Sequence, residues 1–156
     1  DLEHPCYAIL FACLLLVVLF ATGYPVRREE TPYEMFRRQH IYGEKITGKQ
    51  CEIIISQKKI YNDDNTCKRT NTFIISEAAN VKSICEPGGG KFDQNTRLTQ
   101  SNTVFTVVVC KLKNEEARKP NCQYKAGKPA QRTVVVRCAG GLPVHFQDDN
   151  VPINNE

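Results

Sequence analysis

The sequence predicts an α+β domain, with helices early in the chain and an antiparallel β-sheet late. Three observations predict it. Helix signals are confined to residues 31–85. The β-branched runs TVFTVVVCKL (103–112) and RTVVVRCAG (132–140) dominate the second half. Six cysteines spread from Cys51 to Cys138 imply a disulfide framework around one core. No internal repeat, heptad pattern or domain boundary interrupts the chain.

Residues 1–23 stand apart. Cys6 to Ala21 is an unbroken apolar run, shorter than the roughly 20 residues a membrane-spanning helix needs. It leads into Ala21-Thr22-Gly23, a small-x-small pattern suited to signal peptidase. This reads as a secretory signal peptide cleaved near Gly23–Tyr24, although the flanking DLEHP is acidic rather than basic. A retained signal anchor is the alternative. The secreted domain would be 24–156, with its core at about 31–149. All 21 Lys and Arg lie beyond residue 23, whereas Asp1 and Glu3 precede it. Cleavage therefore raises the formal charge from +4 to +6, 21 bases against 15 acids. That excess favours polyanions: nucleic acid, heparin-like glycans or anionic membranes.

The elements follow in order. Residues 24–30 form a loose leader. In TPYEMFRRQHIYG, Thr31 is a good N-cap, Pro32 suits the first helical position and Glu34 completes a capping box. Gly43 is expected to stop this helix. Phe36 and His40 share one face at i, i+4, with Gln39 beside them. QCEIIISQKK (50–59) is a short helix or a strand, since the Ile run fits both. SEAANVKSIC (76–85) is a third helix capped by Ser76, and EPGGG is a loop. The two β-branched runs follow, with CQYKA between them as a further pairing segment. LPVHFQDD (142–149) is extended, and the tail NVPINNE frays.

Cys6 and Cys13 leave with the signal. The remaining six cysteines permit 15 pairings, which spacing alone cannot resolve. None stands in a C-x-x-C, and two histidines remain, so a structural zinc site is not expected and no cofactor is implied. The two histidines come from opposite ends of the domain: His40 on the first helix, His145 on the last extended segment. Histidine exchanges a proton near neutral pH. A pair can act as base and acid in one reaction. Lys68, set directly after Cys67, is a cation whose backbone a disulfide could hold.

These residues carry a resemblance. CKRTNTF (67–73) matches the C-K-x-x-N-T-F signature of the pancreatic-type ribonuclease (ribonuclease A) superfamily at every specified position. FRRQH (36–40) resembles that family's first-helix motif, and LPVHF (142–146) its C-terminal motif. SICE, CQYKA and VVVRC also resemble family segments, so the likeness covers about 31–149. The cysteine order is similar to that of the six-cysteine, angiogenin-like members. The resemblance implies three helices packed on a curved antiparallel β-sheet. It also implies three disulfides: Cys51–Cys110, Cys67–Cys122 and Cys85–Cys138.

The resemblance further implies a secreted, metal-independent endoribonuclease acting on single-stranded RNA 3′ of pyrimidines, through a 2′,3′-cyclic phosphate. His40 would be the base, His145 the acid and Lys68 the charge stabiliser. Gln39, Asn71, Thr72 and Phe146 would contact the substrate, Thr72 reading the pyrimidine edge and Phe146 packing on the ring. The chain departs from the family pattern at Gln147, where relatives place an acid that orients the second histidine. Asp148 or Asp149 would have to substitute. Met35 stands where the digestive enzymes often place a phosphate-binding lysine, and Arg37 and Arg38 either compensate or form a solvated face. RNA is the implied partner of a monomeric chain. Two other readings remain: a cationic host-defence protein acting on microbial membranes, and an angiogenin-like signal using a cell-surface receptor. Bacterial killing and endothelial response by a His145→Ala variant separate them from catalysis.

Overall fold

The computed structural model describes residues 9–14, 17, 23 and 28–147. Residues 9–14 are helical, with exposed side chains including Leu10 and Phe11. No helix among the described residues is long and apolar enough to cross a membrane. Tyr24, on one side of the predicted cleavage point, and the tail 148–156 lie outside the described residues.

Helix α1 spans Pro32–His40. Thr31 caps it as expected: its hydroxyl accepts from the Glu34 N–H at 3.1 Å and donates to the Glu34 carboxylate at 3.1 Å. The helix stops at His40, three residues before Gly43. Ile41 is already extended, buried at 6% exposure, and begins β1 (Ile41–Tyr42). Strand pairing therefore ends the helix, rather than glycine freedom. Helix α2 spans Gln50–Gln57. Cys51, Ile54 and Ile55 are buried while Ile53 is 55% exposed, a helical period that resolves the ambiguity of the Ile run. Helix α3 is only Ala78–Lys82, continued by a 3₁₀ turn Ser83–Cys85. Its N-cap is Glu77 and not Ser76, whose hydroxyl instead donates to the Glu77 carbonyl.

The strands are β2 (Thr70–Ile75), β3 (Gly90–Asp93), β4 (Leu98–Ser101), β5 (Phe105–Leu112), β6 (Tyr124–Ala126), β7 (Ala130–Arg132), β8 (Val135–Ala139) and β9 (Leu142–Phe146). They form two sheets. One runs β1-β2-β5-β6, with β7 also paired to β5, and the other runs β3-β4-β8-β9. Every pair is antiparallel except β1 with β2. The predicted loop EPGGG holds up to Gly89, but Gly90 opens β3. A Cβ there would meet Thr99 Cγ2 at 2.6 Å and the Ile84 carbonyl oxygen at 2.8 Å, so only glycine lets β3 lie this close. Strands β2, β3, β4 and β7 have no β-branched run long enough to announce them. On β5 and β6, exposed Lys111 and Lys125 stand directly opposite, a like-charge pair that opposes strand pairing there.

Alternation along β2 and β5 divides the core. Phe73 and Val108 point into a cluster with Ile54, Ile55 and Tyr124; Ile74 and Val107 point into a second cluster with Phe36, Val136 and Phe146. The larger sheet is thus apolar on both faces. The three predicted disulfides are present. Cys51–Cys110 ties α2 to β5, Cys67–Cys122 ties the approach to β2 to that of β6, and Cys85–Cys138 ties the 3₁₀ turn to β8. Each closes a loop of more than 50 residues, worth about 4 kcal/mol in the chain-entropy picture.

Candidate active site

His40 is the last residue of α1, and its position follows from the apolar face of that helix. Phe36, one turn earlier, is buried in the second cluster, and its ring centroid lies 5.4 Å from the His40 ring. Phe146 of β9 stacks on the other side at 5.0 Å and 25°. His40 is itself only 8% exposed. Its Nδ1 lies 2.9 Å from the Thr72 carbonyl oxygen. A carbonyl can only accept, so Nδ1 carries the proton and Nε2 keeps the lone pair. Burial pushes the imidazole down from 6.5 to about 3. The Thr72 carbonyl opposes this, and the positive charges of Lys68 and His145 add to the lowering. His40 is therefore held neutral, with one basic nitrogen and two cations within electrostatic reach.

Thr72 owes its place to strand register. The Arg69 carbonyl accepts from the Leu112 N–H at 2.8 Å, so the odd residues of β2 carry the bonds to β5. Both main-chain groups of Thr72 consequently point away from β5, toward α1. One of them, the carbonyl, binds His40. Thr72 is 3% exposed.

Lys68 is fixed from three directions. Its neighbour Cys67 is bridged to Cys122. The Tyr124 hydroxyl donates to the Lys68 carbonyl at 2.6 Å. The Lys68 ammonium donates to Asn71 Oδ1 at 3.2 Å, while Asn71 Nδ2 donates to the Gln39 carbonyl at 2.8 Å. Buried Asn71 thus joins the lysine to α1, one residue from His40. Tyr124 was not foreseen as a site residue. The available signal was its place two residues after Cys122, which sets it opposite Lys68. Burial, then the neighbouring Tyr61, raises the Tyr124 phenol to about 12, so it stays a donor at any working pH.

His145 lies on β9 opposite Arg137 and is exposed, whereas the next residue, Phe146, is buried at 5%. The strand therefore turns the two side chains to opposite faces. The Phe146 ring is packed against His40. The Gln147 N–H donates to the Val135 carbonyl at 2.9 Å and closes the β8–β9 ladder. Among the described residues the Gln147 side chain makes no hydrogen bond to His145. Asp148 and Asp149 lie outside the described residues. Arg38 is no solvated face: it pairs with Glu30 at 2.9 Å and donates to the carbonyls of Lys58 and Lys59 at 3.1 Å each. Arg37 is exposed.

A neutral imidazole with a free lone pair, a second imidazole whose charge acts on it and a tethered ammonium are groups that can move protons and offset charge on a phosphoryl centre. Comparison with known proteins points the same way. The family model described as pancreatic ribonuclease matches residues 31–147. Ribonuclease-like 3 of Danio rerio is 38% identical over 148 residues, 92% of this chain and 95% of its own length. Angiogenin-4 of Mus musculus is 34% identical over 147 residues, 92% of this chain and 94% of its own. The X-ray structure of zebrafish RNase5 is similar at TM-score 0.68 and 36% identity, covering 75% of this chain and 93% of that one. The crystal structure of green turtle egg white ribonuclease is similar at TM-score 0.65 and 32% identity, covering 76% and 98%.

Proposed function

The chain belongs to the pancreatic ribonuclease family, and on that premise we propose that it is a secreted endoribonuclease cleaving single-stranded RNA 3′ of pyrimidines without a metal. The observation that carries the reading is the buried, neutral His40, tied at Nδ1 to Thr72 and flanked by the charges of Lys68 and His145.

The reaction proceeds in two steps. His40 Nε2 takes the proton of the ribose 2′-hydroxyl, and that oxygen forms a bond to the adjacent phosphorus. The bond from phosphorus to the 5′-oxygen breaks, and His145, protonated, gives its proton to that oxygen. Lys68 offsets charge on the non-bridging oxygens, and Gln39 and the Phe146 N–H hydrogen-bond the phosphate. The product is a 2′,3′-cyclic phosphate, which water opens with the histidines' roles reversed. Thr72 reads the pyrimidine: its N–H points to the same side as the carbonyl that binds His40, so base recognition and base tautomer come from one residue. The test is cleavage of a pyrimidine-containing dinucleotide by the oxidised chain in EDTA. His40→Ala and His145→Ala are each expected to abolish it. Activity surviving either change, or cleavage only after metal addition, would refute the mechanism. Secretion is tested by expressing the chain with residues 1–23 in cultured cells and sequencing the N-terminus of the exported product.

A further inference from the structure

The smaller sheet ends in β3 on one side and β9 on the other. β9 is covered, its Phe146 ring stacked on His40 of α1. β3 has a strand partner, β4, on one flank only. Its outer part is open: Lys91 and Asp93 are exposed, and Phe92 is 63% exposed.

The register says which main-chain groups this edge offers. The Gly89 carbonyl accepts from the Asn102 N–H at 3.0 Å, whereas the Ser101 N–H turns the other way, to the Val134 carbonyl at 2.8 Å. The bonds between β3 and β4 therefore fall at the odd residues of β3, and Gly90 opposite Ser101 and Phe92 opposite Thr99 are the pairs without them. The N–H and carbonyl of Phe92 consequently point outward. Lys91 and Asp93 share one face of the strand and Phe92 takes the other. Neither charge makes an ion pair among the described residues, and Asp93 uses Oδ1 to accept from the Asn95 N–H at 2.8 Å. An open edge is commonly blunted by a lysine. Here the lysine has a counter-charge two residues on, which makes the edge complementary to itself.

We propose that two copies of the chain pair antiparallel along β3, about a two-fold axis at Phe92. Phe92 faces Phe92 of the second copy, and the two residues exchange both N–H···O=C bonds. Lys91 of each copy stands opposite Asp93 of the other, so the axis makes two ion pairs from one arrangement. The two Phe92 rings meet on the reverse face, where cross-strand aromatic pairs are favourable. A slip that keeps the same faces together sets Lys91 on Lys91 or Asp93 on Asp93, so the charges specify the register. Two four-stranded sheets become one of eight strands. The open edge is consumed in the contact, and assembly stops at two. The axis lies three strands from β9 and His145, roughly 14 Å away, which leaves both candidate sites free.

The edge has four residues and covers far less than the roughly 1,600 Å² of a standard interface, so the dimer is weak. Sedimentation of the oxidised chain from about 10 μM to about 1 mM is expected to show a reversible shift from monomer to dimer, lessened by added salt. Lys91→Asp and Asp93→Lys each set like charges opposite at both ends and are expected to stay monomeric. The combined Lys91→Asp/Asp93→Lys exchange restores two opposite-charge pairs and is expected to restore the dimer, as is an equimolar mixture of the two single variants. Far-UV circular dichroism checks that each variant folds. A wild type that is monomeric at about 1 mM would overturn the proposal and leave the edge to an extended strand of another protein. Dimers that survive both single changes would overturn it too, by placing the contact on another face. So would failure of both the combined exchange and the mixture to dimerise. Should a charge variant lose its fold, Phe92→Ser is expected to weaken association severalfold; unchanged association there also overturns the proposal.

Discussion

At the scale of single residues, the role proposed for His40 would set both the chemistry and its pH dependence. Its proton affinity is pushed from 6.5 down to about 3 by burial, with Lys68 and His145 contributing. Between those values the unfolded chain binds a proton that the folded chain refuses. The stability contributed by the neutral ring is therefore complete above pH 6.5 and is lost progressively as pH falls toward 3, by up to about 1.4 kcal/mol per pH unit. Urea unfolding of a His40→Gln variant is expected to show a shallower acid decline than wild type over that window; parallel declines would mean that His40 titrates normally. For the same reason kcat/KM should hold on the acid side below the ordinary imidazole range.

Tyr124 acts through Lys68. Tyr124→Phe removes the donor to the Lys68 carbonyl, which is expected to lower stability by about 1–3 kcal/mol. On the role proposed for Lys68, it should also lower kcat for a dinucleotide while KM holds. A stability loss with kcat unchanged would make Tyr124 purely structural. The roles proposed for the histidines and Lys68 were legible from side-chain type and motif alone. Tyr124 was not, because its bond to Lys68 spans 56 residues and joins a phenol to a backbone carbonyl, which leaves no mark in local sequence.

At the scale of elements, α1 carries His40, the proposed base, at one end and its cap at the other. Thr31→Ala is expected to cost about 1 kcal/mol, measured as a lower urea midpoint. An unchanged midpoint would mean that Pro32 and tertiary packing hold the helix without the cap. The start of α1 was readable because capping is local chemistry. Its end was not, because Ile41 is claimed by a parallel partner more than thirty residues away. Strand β2 was hidden for a similar reason. TNTFII mixes polar and apolar residues, and only its register with β5 makes Thr72 a main-chain donor and acceptor facing α1. Strands β3 and β4 are polar and short, and pairing holds them where propensity does not.

At the scale of the whole molecule, the bridges connect what the chain separates. Cys85–Cys138 links the 3₁₀ turn to the sheet that holds His145, across 53 residues. Replacing both cysteines by alanine is expected to lower unfolding stability by about 4 kcal/mol, read by denaturant titration. A loss well below that would show a reduced chain that already keeps the two segments together. The six cysteines announced such bridges, but their pairing came from family likeness. No local rule selects one of 15 pairings.

The flanking strands of the larger sheet are very short: β1 has two residues, and β6 and β7, which share the other flank, have three each, β6 bearing an outward lysine. A second molecule approaching either flank would find too little exposed ladder to dock upon. Concentrated solutions should stay clear, and fibril growth along that sheet lacks a template even though its middle strands are rich in valine and isoleucine.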